Sequence, residues 1–147
     1  MRLVASLIIV SIMMLVGASA NALERFAGIE DGSDANLKAV CKDYMINSFL
    51  KNDPDLFFHL LPKSMKRMET MLEKDWPEGH LKRFGNEPLS EYEIFEIKDE
   101  IENTEYKGHK IKRIRFKYKA GTMERYRRSA CSFKQDNDQR WYFSQKP

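Results

Sequence analysis

The chain has 147 residues, 42% of them apolar and 32% charged, with two cysteines and a formal charge of +3. That is one domain's worth of material with enough apolar residues for a packed core. It excludes a disordered polymer, a collagen-like repeat, a disulfide-dense miniprotein and a protein that crosses a membrane many times.

The first element is a leader. Arg2 is followed by an uncharged run from Leu3 to Ala22 that ends in Gly17-Ala18-Ser19-Ala20-Asn21-Ala22. A charged start, an apolar middle and a small-residue exit are what the export machinery and its peptidase read. The chain therefore divides into a signal peptide at 1–20, a flexible lead-in at 21–33 and one domain at 34–147. The competing reading is an uncleaved anchor, because the run approaches spanning length. The cleavage reading predicts a product in the periplasm or outside the cell, with no stable membrane span left.

Export places Cys41 and Cys131 in an oxidising space, where a bridge between them would close a loop of 90 residues. In the chain-entropy model such a loop contributes roughly 4–5 kcal/mol. The alternative is two unrelated buried thiols acting as small hydrophobes. His59, His80 and His109 are scattered without ligand spacing, so no metal and no cofactor is expected.

Glycines and acidic residues at 28–33 interrupt any period, and Asp34 then offers itself as a helix cap. Leu37, Val40, Cys41, Tyr44, Met45 and Ser48 recur at three and four, an apolar stripe at helical spacing. Asp53 and Pro54 predict the start of a second, short and buried helix over Leu56-Phe57-Phe58-His59-Leu60-Leu61. Met65, Met68, Met71 and Leu72 mark a third helix ending near Trp76-Pro77, and residues 77–90 read as mostly loop. The Met face could be an adaptable binding surface, although such spacing more often marks core.

After Ser90 the period changes from 3.6 to 2. Residues 91–98 alternate with a slip at Ile94-Phe95, which predicts a bulged strand; Ser90 and Glu93 would cap a competing helix. In 111–119, Ile114, Phe116 and Tyr118 face one way and Arg113, Arg115, Lys117 and Lys119 the other. Turns at Ala120-Gly121 and Asp136-Asn137-Asp138 predict further strands at 122–133 and 139–145. The fold class is α+β, with N-terminal helices packed on a curved antiparallel β-meander.

An amphipathic helix, a second helix spelled Asn-Asp-Pro-Asp-Leu-Phe-Phe-His-Leu-Leu, and a meander closing on a Trp-containing strand together resemble the nuclear transport factor 2-like (SnoaL-like) superfamily. Asp53, Leu56, Leu60 and Leu61 would match its second helix, and Trp141 and Phe143 its last strand. The match covers most of residues 34–145 and is one of order and spacing. A cystatin-like helix-plus-meander is the neighbouring alternative. The resemblance implies a cone with a pocket between helices and sheet. It further implies small-ligand binding, isomerase or hydratase chemistry in some members and pure protein interaction in others.

An enzymatic member would need a paired acid and base in the cone. The nearest candidates are Asp55 with His59, at i and i+4, and Tyr44 on the first helix. Each also has an ordinary explanation: a first-turn carboxylate, a packing histidine and a core tyrosine.

Charge is polarised along the chain. Residues 104–147 hold 13 Lys/Arg against 4 Asp/Glu, whereas residues 21–103 hold 11 against 18. Much of the positive charge sits at Arg113, Arg115, Lys117 and Lys119 on one strand and at Arg125, Arg127 and Arg128 beside the next. This predicts either a solvated, edge-protecting face or a docking surface for an acidic protein, with Tyr118 and Tyr126 as aromatic anchors. Nucleic acid fits the same pattern but not the compartment. The sequence thus points to an exported, non-enzymatic interaction domain. It would be an inhibitor or immunity-type protein for a secreted factor, or a binder of a small apolar ligand. The alternative is a small-cone enzyme acting on a hydrophobic molecule by proton transfer.

Overall fold

A computed structural model of the chain describes residues 23–50, 53–84, 92–97, 100–120 and 123–145. The expected leader at 1–20 lies outside the described residues. Helices come first and an open antiparallel sheet follows, the α+β order that the change of period predicts.

Helix α1 spans Asp34–Asp43. Its cap is Ser33, one residue before the expected Asp34: the Ser33 hydroxyl accepts the Asn36 N–H at 3.4 Å. Asp34 becomes the first helical residue, where its carboxylate meets the positive end of the helix dipole. The helix continues as a π-helical segment, Tyr44–Leu50, so Leu37, Cys41, Tyr44, Met45 and Ser48 are all buried on one side. Helix α2 is Asp55–Leu60. Its N-cap is Pro54, one residue after the expected Asp53, and Pro54 has no side chain that can cap; Asp53 Oδ1 accepts the Asp55 N–H at 3.0 Å and so satisfies one free donor of the first turn. Leu61, extended because a proline follows it, ends the helix.

A 3₁₀ segment, Lys63–Met68, leads into helix α3, Glu69–Phe84. The expected stop at Trp76-Pro77 is overturned: the helix runs through Pro77, forgoing one main-chain hydrogen bond there. Met65, Leu72 and Trp76 pack against the core while Met71 is exposed, so the methionine spacing is partly a core stripe.

The sheet has five strands. Strand β1, Tyr92–Ile97, and strand β2, Glu102–Tyr106, both pair with one edge of the long strand β3, His109–Ala120. β1 takes its C-terminal half and β2 its N-terminal half. β1 shifts register between Ile94 and Glu96, where the sequence slips. On the other edge of β3 lies β4, Arg127–Gln135, which starts later than the expected 122–133, and then β5, Trp141–Gln145. Strand β2 was not expected. All five of its residues are exposed, so no buried face imposes an apolar alternation that could be read. It joins β3 through Lys107-Gly108, both at positive φ (51° and 78°), a two-residue turn matching the strand twist.

Ile114, Phe116 and Tyr118 of β3 face the helices and meet Phe133 and Phe143 from the neighbouring strands in one core. Cys41 of α1 and Cys131 of β4 form a disulfide with their Cα atoms 5.9 Å apart, joining the helical layer to the sheet.

Residues 23–33 carry no helix or strand, yet they are fastened. The N–H groups of Phe26 and Gly28 donate to the carbonyls of Phe58 and His59, and Ile29 exchanges two main-chain bonds with Trp141. Close approach explains two glycines here. A Cβ on Gly28, which has φ 67°, would lie 2.6 Å from the Tyr142 ring. One on Gly32 would lie 1.9 Å from the Trp141 indole nitrogen. Lys112 Nζ closes this layer by donating to the Gly32 carbonyl at 2.8 Å and to Asp34 at 2.7 Å, above the Trp141 ring.

Candidate functional site

Cross-strand partners lie on the same sheet face, so register sorts the basic residues. Arg113, Arg115 and Lys117 sit opposite Ser132, Ala130 and Arg128 on the face turned away from the core. Arg127 sits opposite Tyr118, which is only 8% exposed on the helix side. Tyr118 is therefore a core residue and not an outward anchor. Tyr126 is exposed, with Lys119 Nζ 5.8 Å from its ring centroid. Arg125, Arg127 and Arg128 cluster around it at the start of β4, but they do not share one face.

The charge polarity read along the chain is partly undone in space. Arg115 donates to Glu102 of β2 at 2.7 Å. Glu93 and Glu96 of β1 occupy the register positions opposite Lys119 and Lys117. Glutamates from the acidic half thus hold register positions beside the basic strand, because β1 and β2 both lie along one edge of β3. Lys117 and Arg128 still oppose each other as like charges. Among the described residues, Arg113, Arg125, Arg127 and Arg128 make no ion pair.

The three residues considered for proton transfer are placed apart in character. Tyr44 is 1% exposed, with its ring 4.9 Å from Phe143 and 6.5 Å from Phe57. His59 Nδ1–H donates to the Glu24 carbonyl at 2.7 Å. Asp55 is exposed in the first turn of α2, and no hydrogen bond joins it to His59. Tyr44 belongs with Phe57, Phe58, Phe133 and Phe143 to one buried cluster between helices and sheet.

A polar cluster missed by sequence reasoning sits at the β4–β5 turn. Tyr142 O–H donates to Asp138 Oδ2 at 2.6 Å, and Lys63 Nζ reaches the same oxygen at 3.1 Å. The hydrogen bond from Tyr142, followed by the Arg140 N–H and Lys63, holds the Asp138 carboxyl below its ordinary pKa. Burial and then the neighbouring carboxylate push the Tyr142 phenol up. The spacing i, i+4 across a hairpin carries no recognisable signal, since it depends on the turn geometry. Beside it lies a cleft of about 210 Å³ lined by Pro62, Ser64, Lys134, Asp136, Phe143 and Ser144, among others.

Among the described residues, no group of His, Cys, Asp and Glu could hold a metal ion, and no helix is long and apolar enough to cross a membrane. No family model, curated protein or solved structure matches the chain.

Proposed function

We propose that this chain is an exported, non-enzymatic binding domain that docks an acidic protein, as an inhibitor or immunity-type factor for a secreted partner. The observation that carries this reading is the set of exposed arginines that make no ion pair among the described residues: Arg113, Arg125, Arg127 and Arg128. Exposed tyrosine and arginine are the side chains that interfaces recruit most readily, and Tyr126 stands among these cations. The burial of Tyr44 against the Phe57 and Phe143 rings supports binding over proton-transfer chemistry. The disulfide supports an oxidising compartment. The order of helices and strands supports membership of the nuclear transport factor 2-like superfamily.

The test is capture from an envelope or secretion fraction on immobilised protein, compared with an Arg125→Glu/Arg127→Glu variant. Capture of one acidic protein, weakened about tenfold or more by the double substitution and by added salt, supports the reading. Capture that is absent, or indifferent to both changes, sinks it.

A further inference from the structure

We propose that the cleft beside β5 is a second binding site, which takes the carboxy-terminal residue of an extended peptide. It is independent of the arginines at the start of β4.

The inference rests first on the hydrogen-bond phase of β5. Asp136 N–H donates to the Arg140 carbonyl at 2.9 Å across the turn, so Arg140 points its carbonyl toward β4, while its N–H donates to Asp138 Oδ1 within the turn. Trp141 points the other way, exchanging bonds of 2.9 and 2.8 Å with Ile29. Antiparallel ladders alternate between these two orientations. Tyr142 therefore faces β4 again, and Phe143 presents its N–H and C=O on the outer edge. Ile29 cannot extend its pairing there, because the chain departs at Gly28, whose N–H donates to His59. Among the described residues, no main-chain partner meets Phe143 on that edge. The register shift that follows Phe143 leaves Ser144 exposed and ends the regular edge. An incoming chain thus finds one pairing position, not a long strand.

The second observation is the cleft itself, which adjoins this position. At about 210 Å³ it is smaller than the ~300–1,000 Å³ of sites that enclose a drug-sized ligand, so it suits one terminal residue of a longer partner. The third is charge. Lys134 in its wall is half-buried and makes no ion pair among the described residues, and the hydroxyls of Ser64 and Ser144 are further donors in the same wall. Asp136 is also in the wall, with Oδ1 accepting the Asn137 N–H at 2.9 Å. Asp136 offsets the charge of Lys134, so the wall has no net charge with which to hold a phosphate dianion, and a terminal carboxylate would be held by the Lys134 ammonium and the two hydroxyls as donors. Main-chain pairing at an edge together with capture of a terminal carboxylate is an established way to recognise a peptide end.

The test uses the full chain with its disulfide intact and follows amide resonances by NMR. The probes are a pool of N-acetylated tetrapeptides with free carboxylates, the same pool amidated, a pool N-methylated at the last peptide bond, and inorganic phosphate. The free-acid pool should shift the Phe143 and Ser144 amides and slow hydrogen exchange at Phe143. Amidation, N-methylation and Lys134→Gln should each weaken that response at least tenfold, while phosphate leaves Phe143 unmoved. Lys134 is partly exposed, so the variant's unchanged amide spectrum elsewhere serves as the folding control. An Arg113→Glu/Arg128→Glu variant should bind the free-acid pool as the parent does, which separates this site from the docking surface. No shift at Phe143 with the free-acid pool, or equal shifts from acid and amide, overturns the proposal.

Discussion

Ser48 is the buried side chain whose hydroxyl finds no hydrogen-bond partner among the described residues. It sits fully buried in the π-helical segment. A lone buried hydroxyl costs about 1–3 kcal/mol of desolvation without compensation. Ser48→Ala should therefore raise stability by about 1 kcal/mol, seen as a melting temperature higher by a few degrees. A lower melting temperature would mean that the hydroxyl is satisfied after all. Gly32 poses the opposite case. A methyl group there meets the Trp141 ring, and indole and loop would have to separate. Gly32→Ala should cost about 1–3 kcal/mol by overpacking, measured by denaturant titration.

At the scale of elements, the disulfide is the link with the largest consequence. It ties α1 to β4 across 90 residues of sequence, and both half-cystines lie in the core. Removing it with Cys41→Ser/Cys131→Ser should lower stability by roughly 4–5 kcal/mol in the chain-entropy model. The melting temperature should then fall by more than about 10 °C. A drop of only a degree or two would show that the helices hold to the sheet without it. Helix α3 offers a converse experiment. Pro77 lies within it and is exposed, so Pro77→Ala restores a main-chain donor without disturbing the core. The expected gain is about 1–2 kcal/mol, after allowing for the freer unfolded chain.

The whole molecule carries a pH signature through the Asp138–Tyr142 pair. Asp138 titrates below its ordinary value when folded, so its contribution is present above about pH 4 and is lost as the pH falls through the lowered value. Tyr142 titrates above its ordinary value when folded. Its contribution is full below about pH 10 and is lost as the pH rises toward the native value. Stability should show a plateau between these limits, and Tyr142→Phe should flatten both limbs in denaturant midpoints measured across pH. The pair joins the β4–β5 turn to the 3₁₀ segment through Lys63 and reaches the lead-in at the Ala27 carbonyl. Its loss should thus loosen three parts of the chain together.

Much of the architecture was legible because local patterns carry it. The stripe from Leu37 to Ser48 and the alternation over Ile114, Phe116 and Tyr118 each record one face meeting a core, and the slip at Ile94-Phe95 marks a shift of register. Strand β2 was invisible for the complementary reason, since neither of its faces is buried. The run of α3 through Pro77 contradicted a local preference. Register is a property of pairing between distant segments, and it alone decided how charge is distributed. It placed Tyr118 inside, separated Arg127 from Arg128 and brought glutamates from the acidic half beside Arg115 and Lys117. Likewise, no local pattern announces that Asp138, Tyr142 and Lys63 converge, or that Phe143 lines a cleft with Pro62 and Lys134. Those facts depend on how the sheet edge meets the first residues of the domain.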